Sequence, residues 1–346
     1  MKKAETYCKF LIETLEKLTS VDSPTGFSAR INNLLVKLLA QMGYTATVTN
    51  KRLVKVSVRG LSKKRRVAIS AHVDTLGAMV KRIDGDGKIR FTRLGGPILP
   101  TFDGEYCRIY ADNGKIYTGT FLCDSASCHV YKDAGTKERN EDTMYVRIDE
   151  IAENATAVQE LGIRTGTMIA LESKFTVTEN GYIKSRFLDD KAGSACLLAI
   201  LWAMKEESLT PRFDTDFYFT NYEEVGHGAA TVGADADELL AVDMGCVGAG
   251  LACKETQVSI CVKDGGGPYD YEMVETLLGL AKEKGIDYAL DVYPYYGSDV
   301  GAAWRAGANA KGGLIGPGVH ASHGMERTHL NGLYATVDLL AAYLGV

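Results

Sequence analysis

The stretch RVAISAHVD, residues 66–74, sets an unbroken apolar run between a basic segment and a His-x-Asp triplet. A strand covered on both faces reads as such a run, whereas a half-solvated strand alternates apolar and polar residues. Related runs recur downstream: FYFT at 217–220, LLAV at 239–242 and GGLIG at 312–316. Helix-period segments accompany them, among them FSARINNLLVKLLAQMG at 27–43, which stops at Gly43 where a terminal glycine belongs. AGSACLLAILWAMKEE at 192–207 and YEMVETLLGLAKEKG at 271–285 are two more. Strands alternating with helices predict an α/β fold with a mixed central sheet flanked by helices.

Between residues 75 and 168 the texture changes. Helix patterns nearly vanish, while KIRFTRLG, YCRIYADNGKIYTGTF and DTMYVRID alternate with turn residues, and Asn113-Gly114 is a strong hairpin signal. A small β-rich domain inserted into the α/β one is expected. The division is 1–74 for the first part of the main domain, 75–168 for the insertion and 169–346 for the second part.

The chain has 346 residues, 46% hydrophobic and 24% charged, enough to bury a large core. Its net charge of −5 and the lack of basic clusters beyond SKKRR at 62–66 leave nucleic acid without an electrostatic footprint. That basic run is expected to precede the strand. MKKAETYCKFLIETLEKLTS opens with lysines, but its interspersed charges read as an amphipathic helix rather than a leader. The longest apolar run, ACLLAILWAM at 195–204, falls short of the roughly 20 residues a bilayer requires. Eight cysteines without a CxxC pair fit a reducing cytoplasm better than a disulfide scaffold.

Polar residues gather just beyond the predicted strands: His72 and Asp74 after VAIS, Glu223 and Glu224 after FYFT, Asp243 after LLAV. Asp189 and Asp190 in SRFLDDKAG stand at a strand-to-helix junction, and His320 and His323 lie in the late segment GVHASHGMER. Open α/β sheets place their ligand crevice beyond the carboxyl ends of the strands. Carboxylates converging there would repel one another and raise their own pKa values unless cations sat among them. Imidazole with carboxylate and no thiolate suits Zn, Co or Mn, and a pair of such ions activates water. In the Glu-Glu doublet, one glutamate can bind metal while its neighbour takes a proton.

Asp189 and Asp190 could instead cap the following helix, and Asp243 could be a turn residue. His129, His227 and His329 are read as structural. Cys123, Cys128 and His129 lack a fourth ligand at zinc-finger spacing. DGGGPYD at 264–270 lacks the ending of a phosphate-binding loop, and neither HExxH nor GxSxG occurs.

AHVDTLG, FLDDKAG, YEEVGHGA, AVDMG and ASHGMER resemble, in order and spacing, the M42 family of dinuclear metallo-aminopeptidases, and the resemblance spans essentially the whole chain. It implies two divalent metal ions held by His72, Asp189, Glu224, Asp243 and His323, with Asp189 bridging. Glu223 would be the general base, taking a proton from metal-activated water, and Asp74 would orient His72. His323 is preferred to His320 because Glu326 follows it at the short distance usual in the family. Ser298, Asp299 and His320 are expected to line the substrate site. The resemblance further implies short peptide substrates cleaved from the N-terminus, a small β-barrel insertion that mediates assembly, and a homo-oligomer from dimer to dodecamer. Thr75, Lys191, the doubled histidine of VHASHG and the missing arginine after the Glu-Glu doublet depart from the family pattern. A metal-dependent deacylase, a glucanase-like hydrolase and a non-catalytic shell protein are the alternatives.

Overall fold

α1 (Cys8–Thr19) forms because Leu11, Leu15 and Leu18 recur on one face, and all three are fully buried. α2 (Ala29–Gln41) does the same with Ile31, Leu35 and Leu39, and the chain leaves it through Gly43 at φ 78°. β1 (Ala46–Val48) and β2 (Val54–Val58) pair antiparallel at one edge of the main sheet. β3 (Ser62–His72) follows. The structure, a computed structural model, describes residues 1–346. It places SKKRR within β3 rather than ahead of it. Charged residues can extend this strand because neighbouring strands offer them carboxylates: Arg65 meets Glu238 and Arg66 meets Asp216, each at 2.8 Å.

The insertion is a closed barrel. β4 (Gly77–Ile83), β5 (Ile89–Leu94), β6 (Tyr106–Tyr110), β7 (Ile116–Cys123), β8 (Met144–Ile148) and β9 (Met168–Leu171) join in the order β4-β5-β8-β7-β6-β9. α3 (Ala155–Glu160) lies between β8 and β9. Asn113-Gly114 sits in the turn from β6 to β7, and inward residues of β7 such as Tyr117 and Phe121 alternate with solvated ones. The barrel has its own core, in which Phe91 and Phe102 pack on Phe121 with ring centroids 4.9 and 5.0 Å away. Its strands run from Gly77 to Leu171, so β9 completes the barrel just past residue 168.

The chain then returns to the main sheet through β10 (Thr176–Val177) and β11 (Tyr182–Ser185) and enters α4 (Leu188–Glu206). α4 is apolar nearly all round, and Leu197, Leu198, Ile200 and Leu201 are fully buried, as a helix at the centre of a core requires. There follow β12 (Phe213–Thr220), β13 (Glu238–Val242), β14 (Gly245–Val247), β15 (Val258–Asp264) and β16 (Gly267–Pro268). α5 (Tyr271–Lys284), β17 (Tyr288–Val292), α6 (Asp299–Arg305), β18 (Lys311–His320), β19 (Glu326–His329) and α7 (Leu330–Leu344) complete the chain.

The main sheet runs β1-β2-β12-β3-β13-β18-β19-β11-β10, with β14 and β15 also paired to β18. β12 and β13 flank β3 in parallel, and Thr220 stands opposite His72. Their carboxyl ends therefore lie side by side. β2, β15, β11 and β19 contribute antiparallel pairs, so the sheet is mixed. β18 is ten residues long although only GGLIG reads as strand, because four glycines and Pro317 mask its character.

Gly316 in β18 and Gly193 in α4 permit close approach. A Cβ on Gly316 would fall 1.8 Å from the Asp243 carbonyl oxygen, and one on Gly193 would fall 2.3 Å from both the Val242 carbonyl and Asp190 Oδ1. Gly193→Ala should therefore cost about 1–3 kcal/mol through overpacking, measured as a lower urea midpoint. An unchanged midpoint would mean that α4 and β13 can separate at no cost.

Candidate active site

His72 is the last residue of β3 and only 1% exposed. Asp189 and Asp190 occupy the first turn of α4, where the backbone leaves helical values with ψ of 103° and 38°. Neighbouring carboxylates consequently face different partners. Asp189 reaches His72 Nε2, while Asp190 accepts from the His72 N–H at 3.2 Å and the Gly193 N–H at 3.0 Å. Glu223 and Glu224 lie on one 3-10 turn, Glu223–Val225, entered by Tyr222 at φ 68° and left by Gly226 at φ 79°. Asp243 follows β13 directly. His323, at φ 64°, comes from the turn between β18 and β19.

Asp189 is central. Its Oδ1 is 3.0 Å from His72 Nε2, and its Oδ2 is 3.5 Å from His323 Nε2. Glu224 Oε2 is likewise 3.5 Å from His323 Nε2, and Glu223 Oε2 is 3.8 Å from His72 Nε2. Both imidazoles use the other ring nitrogen on a backbone carbonyl: His72 Nδ1 donates to Asp74 O at 3.0 Å, and His323 Nδ1 donates to Gly96 O at 2.9 Å. An acceptor at Nδ1 keeps a proton on that nitrogen and points each Nε2 at the carboxylates, where it donates when the ring is protonated and would offer a lone pair to a cation.

Burial, with neighbouring carboxylates adding to it and His72 opposing it, pushes Glu223 and Glu224 well above the usual carboxylate range and Asp243 up to about 7. Burial also opposes ionisation of Asp189, but hydrogen bonds from His323 and His72 outweigh it and hold its pKa down. For His323 burial disfavours the charged form, yet Asp189 and Glu224 raise its pKa to about 10. Crowding of this kind favours protons on the cluster. Divalent cations would neutralise it without them. Ligand atoms of His72, Asp189 and Glu224 lie within 4.8 Å of one another, as do those of His72, Asp190 and Asp243. Glu224 Oε1 is buried with no hydrogen-bond partner, an orphan that a cation would satisfy. The donors fit hard or borderline divalent metals.

The cluster opens on a cavity of about 690 Å³ whose wall includes Ile98, Met244, Tyr296, Ser298 and Arg305. Ser298 thus lines it, but two expected neighbours do not. His320 is exposed at the outer end of β18, outside the cavity. Asp299 is buried behind the wall, accepting from Thr220 Oγ1 at 2.6 Å. Asp74 is completely buried, with its carboxylate accepting from Thr25 Oγ1 at 2.8 Å and from the Glu223 N–H at 3.3 Å. Its carboxylate is 3.6 Å from His72 Nδ1, farther than its own carbonyl.

Of the other histidines, His227 stacks on Tyr222 and His329 caps α7. Cys123 is buried in the barrel while Cys128 is exposed. In the sequence Glu326 serves only as a spacing mark. In the structure it accepts from the backbone N–H groups of Asp189 and His323, each at 3.0 Å, and so joins two candidate ligands. Lys191 is buried and donates to Val21 O at 2.8 Å.

The profile of the M42 glutamyl aminopeptidase family matches residues 54–339, most of the chain. The chain belongs to that family. This M42 protein is 42% identical over 334 residues to YhfE of Bacillus subtilis (strain 168), which carries the name of an aminopeptidase, with 96% of each chain covered. It is 25% identical over 206 residues to the glutamyl aminopeptidase of Lactococcus lactis subsp. cremoris (strain MG1363), covering 58% of this chain and 56% of that one. Among solved structures, a TET aminopeptidase from Thaumarchaeota archaeon SCGC AB-539-E09 superposes with TM-score 0.87 at 20% identity, covering 97% of this chain and 96% of the other. The dodecameric PhTET1 superposes with TM-score 0.84 at 22% identity, covering 96% and 98%. Fold and family membership agree with the resemblance carried by the five motifs. The M42 chain is an aminopeptidase-type hydrolase of the α/β class with an inserted barrel.

Proposed function

We propose that this chain is a dinuclear metal-dependent aminopeptidase that releases N-terminal residues from short peptides. The observation that carries the reading is Asp189, whose two oxygens face different imidazoles, His72 at 3.0 Å and His323 at 3.5 Å. Two cations would be held here, one by His72 and Asp243 and the other by His323 and Glu224, with Asp189 shared between them. Zn, Co or Mn in that position supplies Lewis acidity toward the peptide carbonyl and toward water. Glu223, left outside both ligand sets, takes a proton from the attacking water and passes it to the leaving amine. Asp74 and Asp190 hold His72 in place, one at its ring and one at its backbone. Ser298 contributes to the substrate wall.

The division into 1–74, 75–168 and 169–346 assigns catalysis to the outer parts and assembly to the inserted barrel. A homo-oligomer, from dimer up to dodecamer, is proposed from the likeness to the dodecameric PhTET1. No helix is long and apolar enough to cross a membrane. Eight unpaired cysteines support a cytoplasmic location.

Chelation tests the reading. Stripped protein should lose hydrolysis of aminoacyl anilides and recover it with Zn or Co, at about two ions per subunit, while N-acetylated analogues stay intact. Full activity after stripping, or equal cleavage of blocked and free substrates, would sink it.

A further inference from the structure

His323 sits in a turn with two non-glycine residues in left-handed conformation, Ala321 at φ 58° and His323 at φ 64°. Such backbone persists only where its surroundings hold it. The surroundings come largely from the insertion. Gly96 O accepts from His323 Nδ1, and the Ile98 N–H donates to His323 O at 3.1 Å. Nothing within residues 321–325 supplies these partners.

One side chain ties the two segments together. Arg186, just before α4, is 3% exposed. Its Nη2 donates to Thr101 O at 2.6 Å, and its Nη1 donates to Thr101 Oγ1 at 3.3 Å and to Gly324 O at 3.2 Å. The guanidinium lies over the Phe102 ring, 5.6 Å from its centroid, and the one carboxylate within ion-pair range is Glu105 at 3.7 Å. Its Nε has no partner at all. A buried guanidinium so sparsely neutralised is costly, and an apolar side chain could fill the space at less cost. What it supplies is a planar fork that grips two backbones at once, one following β5 and one adjoining His323.

We propose that Arg186 is a positioning residue for His323: by clamping Thr101 and Gly324, it keeps Gly96 O and the Ile98 N–H against the imidazole and backbone of that residue. The inserted domain is on this view a structural part of the metal centre, and not solely an assembly surface. The inference rests on the dinuclear reading only for what His323 holds.

The test uses the full chain in four forms, wild type, Arg186→Met, Arg186→Lys and His323→Ala, and two readouts. In calorimetric titrations of stripped protein with Zn or Co, Arg186→Met should bind one ion as wild type does and the other about ten- to a hundredfold more weakly. The weakened ion should be the one lost in His323→Ala. Arg186→Lys, which keeps the charge but cannot grip both backbones, should fall between. Amide hydrogen exchange on the stripped proteins should quicken in Arg186→Met at residues 96–101 and 321–325, with the rest of the chain unchanged. Wild-type exchange in those two segments would overturn the proposal. So would both ions weakening alike together with faster exchange throughout, which would mark Arg186 as a general stability residue. Should wild type bind no metal, the dinuclear reading fails by itself, and exchange still decides for or against the clamp.

Discussion

Glu223→Gln should lower kcat on a peptide with a free N-terminus by about a hundred- to ten-thousandfold, the range for loss of a general base, while metal content stays at the wild-type level. The amide has nearly the shape of the carboxylate but cannot accept the proton. Glu223 approaches His72 Nε2 to 3.8 Å and Asp189 to 3.0 Å, and the proposed reading takes the closer carboxylate as the ligand and the farther one as the base. Burial raises the affinity of Glu223 for a proton, with Asp243 and Glu224 adding to the effect and His72 opposing it. Steady-state kinetics beside metal analysis of the same preparation decides the matter. Turnover near wild type would remove Glu223 from the base role, and loss of metal would make it a ligand.

The second large effect concerns Asp189→Ala. Because one carboxylate faces both imidazoles, its removal should weaken both ions together, each by more than the roughly hundredfold typical of groups one step removed from a metal. Activity should fall with them. Thermal stability offers an independent reading. Ligands that bind only the folded state stabilise it by mass action, so adding Zn or Co to stripped wild type should raise Tm, and that rise should disappear in Asp189→Ala. Stripped Asp189→Ala should itself be less stable than stripped wild type, because both imidazoles lose the buried carboxylate they face, so the comparison rests on the metal-induced rise within each protein. Loss of a single ion with the other intact would confine Asp189 to one site and end the bridging assignment.

Much of the fold is legible in the amino-acid order alone. Apolar runs mark β3, β12 and β13, and because parallel strands present their carboxyl ends together, the residues just beyond them are natural partners. The inserted β domain shows itself by alternation and by Asn113-Gly114. Its closure does not, because β4 pairs with β9 across nearly the full length of the insertion, and local alternation is silent about such distant pairing. SKKRR misleads for a related reason: its strand character depends on Asp216 and Glu238, residues far along the chain.

The site shows the same division. Residue type and order along the chain are sufficient to nominate the acids and histidines, since those chemistries are local properties of side chains. Direction is another matter. His320 and His323 are three positions apart, yet one points to solvent from the end of β18 while the other is turned inward by a left-handed backbone. That turn is held by Gly96, Ile98, Arg186 and Glu326, most of them remote in the chain. Likewise Asp299, expected on the wall, lies behind it, because Thr220 captures its carboxylate. Local pattern encodes which groups are present and where strands end. Contacts between distant segments choose which of those groups share a cavity, because only they supply the hydrogen bonds that make one side-chain direction cheaper than the others.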